Sequence, residues 1–197
     1  MATITAITPG DGDALIIVDV QNDFLPGGAL AVPEGDAVIA PLNRVLNIFH
    51  HRGLPIFATR DWHPENHCSF QAQGGPWPPH CIAGSEGAKF PASLGLPAFA
   101  AMISKATSPD KDAYSGFEDT PLAMQLRMYG TKRVLIGGLA TDYCVLNTVR
   151  DAVKNNFQVV LLTDAIRAVN AQPGDGDRAL AEMRALGIVE ATTQDIA

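Results

Sequence analysis

Residues 133–164 read RVLIGGLATDYCVLNTVRDAVKNNFQVVLLTD, and the order of parts in this stretch is strand, turn, helix, strand. Arg133-Val-Leu-Ile136 is a short apolar run, Gly137-Gly-Leu-Ala-Thr141 a turn, and Thr141 to Asn155 a helix. Phe157 to Leu162 is a second run, ending at Asp164. Continuous apolar runs without polar alternation suit parallel strands covered on both faces, and two of them joined through a helix make a βαβ crossover.

The same grammar extends outward. Ala14-Leu-Ile-Ile-Val18 ends in Asp19. Asp36 to His51 sets Val38, Ile39, Leu42, Val45, Leu46 and Phe49 at helical spacing, Gly53 stops the helix, and Leu54 to Ala58 is the next strand. Ala101-Met-Ile-Ser104 is a third strand ending at Lys105. Thr120 to Tyr129 is a helix halted by Gly130, and Asp175 to Leu186 one halted by Gly187; Ile188 and Val189 begin a sixth strand. The expectation is an α/β fold in a single domain, residues 1–197: an open, mainly parallel sheet of about six strands with helices on both faces.

Composition excludes several classes. At 47% hydrophobic and 18% charged, the 197 residues can bury a substantial core. A net charge of −7 with no Lys/Arg cluster argues against a nucleic-acid partner. No apolar run has the length of a membrane span, and Met1 to Asp13 lacks the pattern of a signal peptide. Three widely spaced cysteines, Cys68, Cys81 and Cys144, read as free thiols in a reducing cytoplasm.

Open parallel sheets bind ligands beyond the carboxyl ends of their strands. Those ends carry Asp19, Asp61, Lys105, the Gly137–Thr141 turn and Asp164. With Thr141 as N-cap, Cys144 falls in the first turn of its helix, where partial positive charge lowers a thiol pKa and favours the nucleophilic thiolate. The plainer alternative is a small buried hydrophobe. A cysteine nucleophile needs a proton acceptor and a balancing cation; Asp19 and Lys105 stand at neighbouring strand ends, whereas no histidine does. Taken singly, Asp19 could be a turn residue and Lys105 a solvated strand end.

A second cluster follows Asp61. Asp61, His63, His67 and His80 fall within about twenty residues, and a carboxylate with imidazoles is a ligand set for Zn²⁺, Fe²⁺ or Mn²⁺. Trp77-Pro-Pro stiffens the approach to His80. Surface histidines in a polar loop, or a structural zinc site using Cys68 or Cys81, are the alternatives. Phe24, Trp77 and Tyr114 are the aromatics nearest these motifs; they can form a flat slot for a planar ring, or merely anchor loops. Neither a dinucleotide-binding glycine pattern nor a phosphate loop is present.

Ile17-Val-Asp19-Val-Gln-Asn-Asp-Phe24, Asp61-Trp-His63, Trp77-Pro-Pro-His80-Cys81, Tyr114-Ser-Gly-Phe117 and Gly138-Leu-Ala140-Thr-Asp-Tyr-Cys144 together resemble the nicotinamidase branch of the isochorismatase-like cysteine hydrolases. The resemblance spans about Ala14 to Asp164. It implies hydrolysis of nicotinamide, and of analogues such as pyrazinamide, to the acid and ammonia through a thioester on Cys144. It implies Asp19 as proton carrier, Lys105 as charge balance, and backbone N–H groups of Ala140 and Cys144 as oxyanion hole, with a cis peptide between Leu139 and Ala140. It implies one divalent metal, zinc foremost, on Asp61, His63 and His80, holding the pyridine nitrogen, with His67 a direct ligand only in some members. Phe24 and Trp77 would sandwich the ring, with Tyr114 at the edge. One departure stands out: Ala106 follows the lysine where many members carry Gly.

Three other readings compete. They are a related cysteine amidohydrolase acting on another small amide, a vinyl-ether hydrolase (which Cys144 disfavours), and a zinc-stabilised binding module without catalysis. Loops of this length also pack against neighbouring subunits, so a homo-oligomer is among the expectations.

Overall fold

The computed structural model describes residues 6–197; Met1–Thr5, on which part of the signal-peptide reading and of the 1–197 domain span rests, lie outside the described residues. Among these, six strands form one parallel sheet: β1 (Asp13–Val18), β2 (Ile56–Asp61), β3 (Ala101–Lys105), β4 (Arg133–Leu139), β5 (Gln158–Arg167) and β6 (Val189–Ala191), in spatial order β3-β2-β1-β4-β5-β6. Four helices cover it: α1 (Ile39–His51), α2 (Leu122–Met128), α3 (Leu146–Lys154) and α4 (Asp175–Ala185). No helix among the described residues is long and apolar enough to cross a membrane.

Strand β1 shows why the apolar run is unbroken. All six residues are buried. Leu15 and Ile17 pack towards Leu42, Val45, Leu46 and Phe49 of α1, while Ala14, Ile16 and Val18 pack towards Leu122 and Leu126 of α2 and Val149 of α3. Each face therefore needs apolar side chains, and each large one buried is worth roughly 1.5–3 kcal/mol. The lower end of β1 is tied to β4 by Arg133, whose Nε and Nη2 donate to Asp13 Oδ1 and Oδ2 at 2.7 Å each. The upper end approaches β4 closely at Gly138, whose φ is +132°; a Cβ there would stand 2.0 Å from the Val18 carbonyl oxygen.

The structure moves several boundaries. β2 begins at Ile56, because Pro55 cannot donate to the ladder, and runs to Asp61. Helix α2 is shorter than its apolar pattern, and a 3₁₀ turn over Gly35–Val38 leads into α1. Thr141 is not the N-cap: Ala140 occupies that position, and Thr141–Val145 form a π turn before α3. β5 does not stop at Asp164 but continues to Arg167 after a register shift against β4. The Asp164 carboxylate accepts from the amide and hydroxyl of Thr193 at 2.8 and 2.6 Å, so its work is to hold the carboxyl-terminal turn.

Strand order reverses between β1 and β4, which opens a crevice above their carboxyl ends. The ends of β1, β2, β3 and β4 surround it.

Candidate active site

Lys105 ends β3, and its ammonium is buried, with the residue 1% exposed. Nζ donates to Asp61 Oδ1 at 2.5 Å and to the Ala113 carbonyl at 3.1 Å; it lies 2.9 Å from Asp19 Oδ2 and 3.5 Å from Cys144 Sγ. Thr59 Oγ1 donates to Asp19 Oδ1 at 2.6 Å. Acid, amine and thiol thus meet at one point, although they enter the sequence on three different strand ends. Asp19 takes the left-handed conformation, φ +48°, as the chain turns out of β1.

Mutual electrostatics sets the protonation states. Burial drives the Lys105 pKa down, but Asp19 and Asp61 hold it well above the usual lysine value, so the amine stays charged. Burial raises Asp19, with Asp61 adding to the shift, while Lys105 and Thr59 oppose it; the net is upward. Burial also raises Cys144 well above the ordinary thiol value, Lys105 opposes, and Asp19 and Asp61 reinforce. The thiolate expected from the helix end is therefore not the resting form. Desolvation first, then two nearby carboxylates, disfavour the thiolate, and the residue sits in a π turn rather than in the first turn of a capped α-helix. Cys144 is a thiol with a proton acceptor in reach.

Asp61 also belongs to a second cluster. Ligand atoms of Asp61, His63 and His80 lie within 4.8 Å of one another, all three residues buried. His63 Nδ1 meets the Ala106 carbonyl at 3.3 Å and His80 Nδ1 meets the Pro78 carbonyl at 2.8 Å, so each Nδ1 donates to the backbone and each Nε2 is the nitrogen turned towards Asp61. His63 Nε2 lies 3.6 Å from Asp61 Oδ2, buried and without a hydrogen-bond partner. Burial lowers the His80 pKa, which favours the neutral, ligating form. Burial raises the Asp61 carboxyl, but Lys105 and His63 outweigh it and hold the group well below the usual carboxylate range. One carboxylate and two imidazole nitrogens, one of them buried without a hydrogen-bond partner, fit a divalent cation with positions left for ligand.

His67 stands beside this cluster. Its ring lies 4.1 Å from that of His63, centroid to centroid. Nδ1 accepts from the amide and hydroxyl of Ser69, at 3.3 and 2.7 Å, and Nε2 donates to the Lys111 carbonyl at 3.1 Å, so neither lone pair faces a metal. Cys68 and Cys81 are free and outside the group, and burial pushes the Cys81 thiol far up, away from the thiolate a metal needs.

Cys144 and the Asp61–His63–His80 group open on one cavity of about 480 Å³, part of it continuous with solvent, with Asp19 and Lys105 buried behind Cys144. Phe24, Trp77 and Tyr114 line it, together with Cys144, Ala140 and the three ligand residues. Trp77 Nε1 donates to Tyr114 Oη at 3.1 Å. The Leu139–Ala140 peptide is cis. Ala106 has φ +50°, in the region that favours glycine; its carbonyl is the one that orients His63.

Three residues of the site went unread in the sequence. Tyr143 sits edge-on to Trp77 at 5.2 Å. Gln21 is fully buried and bonds the backbone of Asp61 on both its N–H and C=O, at 2.8 Å each. Asp23 Oδ2 accepts from the Cys81 amide at 2.7 Å, next to His80. Their partners are mostly backbone atoms or distant rings, for which a sequence offers no spacing signal.

An isochorismatase domain family matches residues 13–195. The nicotinamidase of Escherichia coli (strain K12) is 41% identical over 203 residues, covering 92% of this chain and 95% of that protein. The crystal structure of the pyrazinamidase of Pyrococcus horikoshii in complex with zinc superposes with a TM-score of 0.88 at 54% identity, covering 92% and 99% of the two chains. PnC1 from L. infantum in complex with nicotinate gives 0.90 at 40% identity, covering 98% of each.

Proposed function

The chain belongs to the isochorismatase domain family, and on that premise we propose that it is a nicotinamidase, converting nicotinamide and water to nicotinate and ammonia. The observation that carries the reading is the convergence of Asp19 and Lys105 on Cys144, which shares a single cavity with the Asp61–His63–His80 group.

Asp19 takes the proton from Cys144 Sγ as the sulfur attacks the amide carbon. Lys105 balances the charge that passes between acid and sulfur, and because it is already ionised and buried it needs no reorganisation. The backbone N–H groups of Ala140 and Cys144 receive the developing oxyanion. Asp19 then delivers its proton to the leaving nitrogen, ammonia departs, and a thioester remains on Cys144. Water attacks the thioester carbonyl while Asp19 accepts its proton, and the acid leaves with Cys144 returned to its thiol form. Phe24 and Trp77 flank the ring, with Tyr114 at its rim.

Asp61, His63 and His80 would hold one divalent cation, zinc before iron or manganese, which when bound supplies a Lewis-acidic anchor for the pyridine nitrogen. The zinc bound by the related pyrazinamidase supports this choice. His67 steadies the His63 ring instead of ligating. The substrates are small amides, with neither nucleic acid nor membrane as partner. The free thiols and the charge of −7 support a reducing cytoplasm as the setting.

The test is ammonia release from nicotinamide, with and without a chelator. Release that is lost on chelation and restored by Zn²⁺ supports the proposal. Undiminished release from a metal-free protein would favour another amide substrate, and no release at all would favour a binding module.

A further inference from the structure

Asp61 is the last residue of β2, three positions beyond the last rung at which β2 pairs with β1, Ala58 with Ile17. On its other side Asp61 still pairs with Lys105 of β3. Towards β1 the ladder has lost its partner, because the chain turns away at Asp19 after one further bond, from the Asp19 amide to the Thr59 carbonyl at 3.2 Å. The next rung is completed by a side chain. Gln21 Oε1 accepts the Asp61 N–H at 2.8 Å, and Gln21 Nε2 donates to the Asp61 carbonyl at 2.8 Å and the Ala88 carbonyl at 2.9 Å. A carboxamide has the donor and acceptor of a peptide group, so it can stand in for a missing stretch of strand.

The geometry points to Gln21 as a positioning residue: its side chain extends the β1–β2 ladder by one rung and thereby fixes the Asp61 carboxylate between Lys105 on one side and His63 and His80 on the other. This rests on the metal site proposed above. Asp61 serves both clusters, so a shift of its Cα moves a metal ligand and the counter-charge of Lys105 together. The residue type is demanding. Glu would set a carboxylate against two carbonyls, and Asn is one methylene too short to reach both strand end and loop. An apolar side chain would leave buried groups of Asp61 and Ala88 unpaired. Groups that orient metal ligands typically cost 10–100-fold in affinity when removed.

The experiment compares Gln21→Met, which keeps length and volume, with wild type and with Leu126→Ala, a core substitution in α2 that serves as a stability control. Zn²⁺ affinity is measured by competition with a chromophoric chelator, and the ligand-field spectrum is recorded on the Co²⁺-loaded protein. Expected is a 10–100-fold weaker Zn²⁺ affinity and an altered Co²⁺ spectrum for Gln21→Met, with both unchanged in Leu126→Ala despite its lower melting temperature. Should Gln21→Met fail to fold, Gln21→Asn is read in the same way, with a loss of at least several-fold expected. Wild-type affinity and spectrum in whichever variant folds would overturn the assignment and leave Gln21 a structural residue. A wild-type protein that binds no Zn²⁺ would overturn the metal site and this inference together.

Discussion

Replacing Lys105 by Met removes the cation that separates two buried carboxylates, Asp19 at 2.9 Å and Asp61 at 2.5 Å. Removing one partner from a buried ion pair costs about 3–5 kcal/mol, mostly through the charge left behind. For a domain of this size each kcal/mol lowers Tm by about 2–4 °C, so K105M should melt about 6–20 °C below wild type. The informative step is the double variant. In the wild-type background D19N removes one of the two carboxylates that hold the buried Lys105 charge, so it should be less favourable than the same change without the lysine. In the K105M background it removes a repulsion, and should recover about 1–3 kcal/mol. The pH dependence has a definite sign. The Asp19 carboxyl is raised in the folded state even with Lys105 present, through burial first and then Asp61. An acid with a raised folded pKa loses stability as pH rises above its unfolded value of 3.8, and without Lys105 that loss grows. K105M should therefore gain on wild type as pH falls from neutrality towards 4, roughly the unfolded value. The assay is urea unfolding of the four proteins with chelator present throughout. If the D19N and K105M effects add to within about 0.5 kcal/mol, the reasoning about shared buried charge is refuted.

Other substitutions probe the remaining links. Cys144→Ala should abolish ammonia release while leaving Zn²⁺ content and the circular dichroism spectrum at wild-type values; residual turnover above background would remove Cys144 as nucleophile. Because both nitrogens of His67 are engaged by Ser69 and Lys111, His67→Ala should weaken Zn²⁺ by far less than His80→Ala, and equal losses measured by chelator competition would make His67 a ligand. Ala106→Gly removes a Cβ from a backbone at φ +50°; relief of about 1–2 kcal/mol against an unfolded-chain cost of about 0.4–1 kcal/mol predicts a small rise in Tm, and a fall would show the φ to be unstrained. Asp61 is depressed in the folded state, so its ionised form stabilises the metal-free protein above the unfolded value of 3.8 and this contribution fades as pH drops below it; Asp61→Asn should flatten that part of the acid limb.

The sheet was legible because its strands are apolar on both faces and stop at charged residues. That same feature picked out Asp19, Asp61 and Lys105, since a charge ending a buried parallel strand must face the crevice. It misled at Asp164, where β5 carries on past the charge, and at Thr141, where a π turn replaces a capped helix. The sign of the Cys144 shift was misread for a different reason. A helix terminus is visible in a sequence, but the burial that raises the thiol, and the two carboxylates that add to it, arise only in the folded chain. Gln21 and Asp23 bond backbone atoms 40, 67 and 58 residues away, and periodicity does not reach that far.

Parallel pairing has a consequence for how the enzyme comes into being. The rungs that bring β1 against β4 join Asp13 to Arg133 across 120 residues, and Cys144 lies beyond them. Closing loops of that length is slow, and on a ribosome adding about 5–20 residues per second the 39 residues between Lys105 and Cys144 take about 2–8 s to emerge. Any chain that ends ahead of β4 lacks Cys144, so the proposed chemistry waits on the strand that is made fourth but lies at the centre of the sheet.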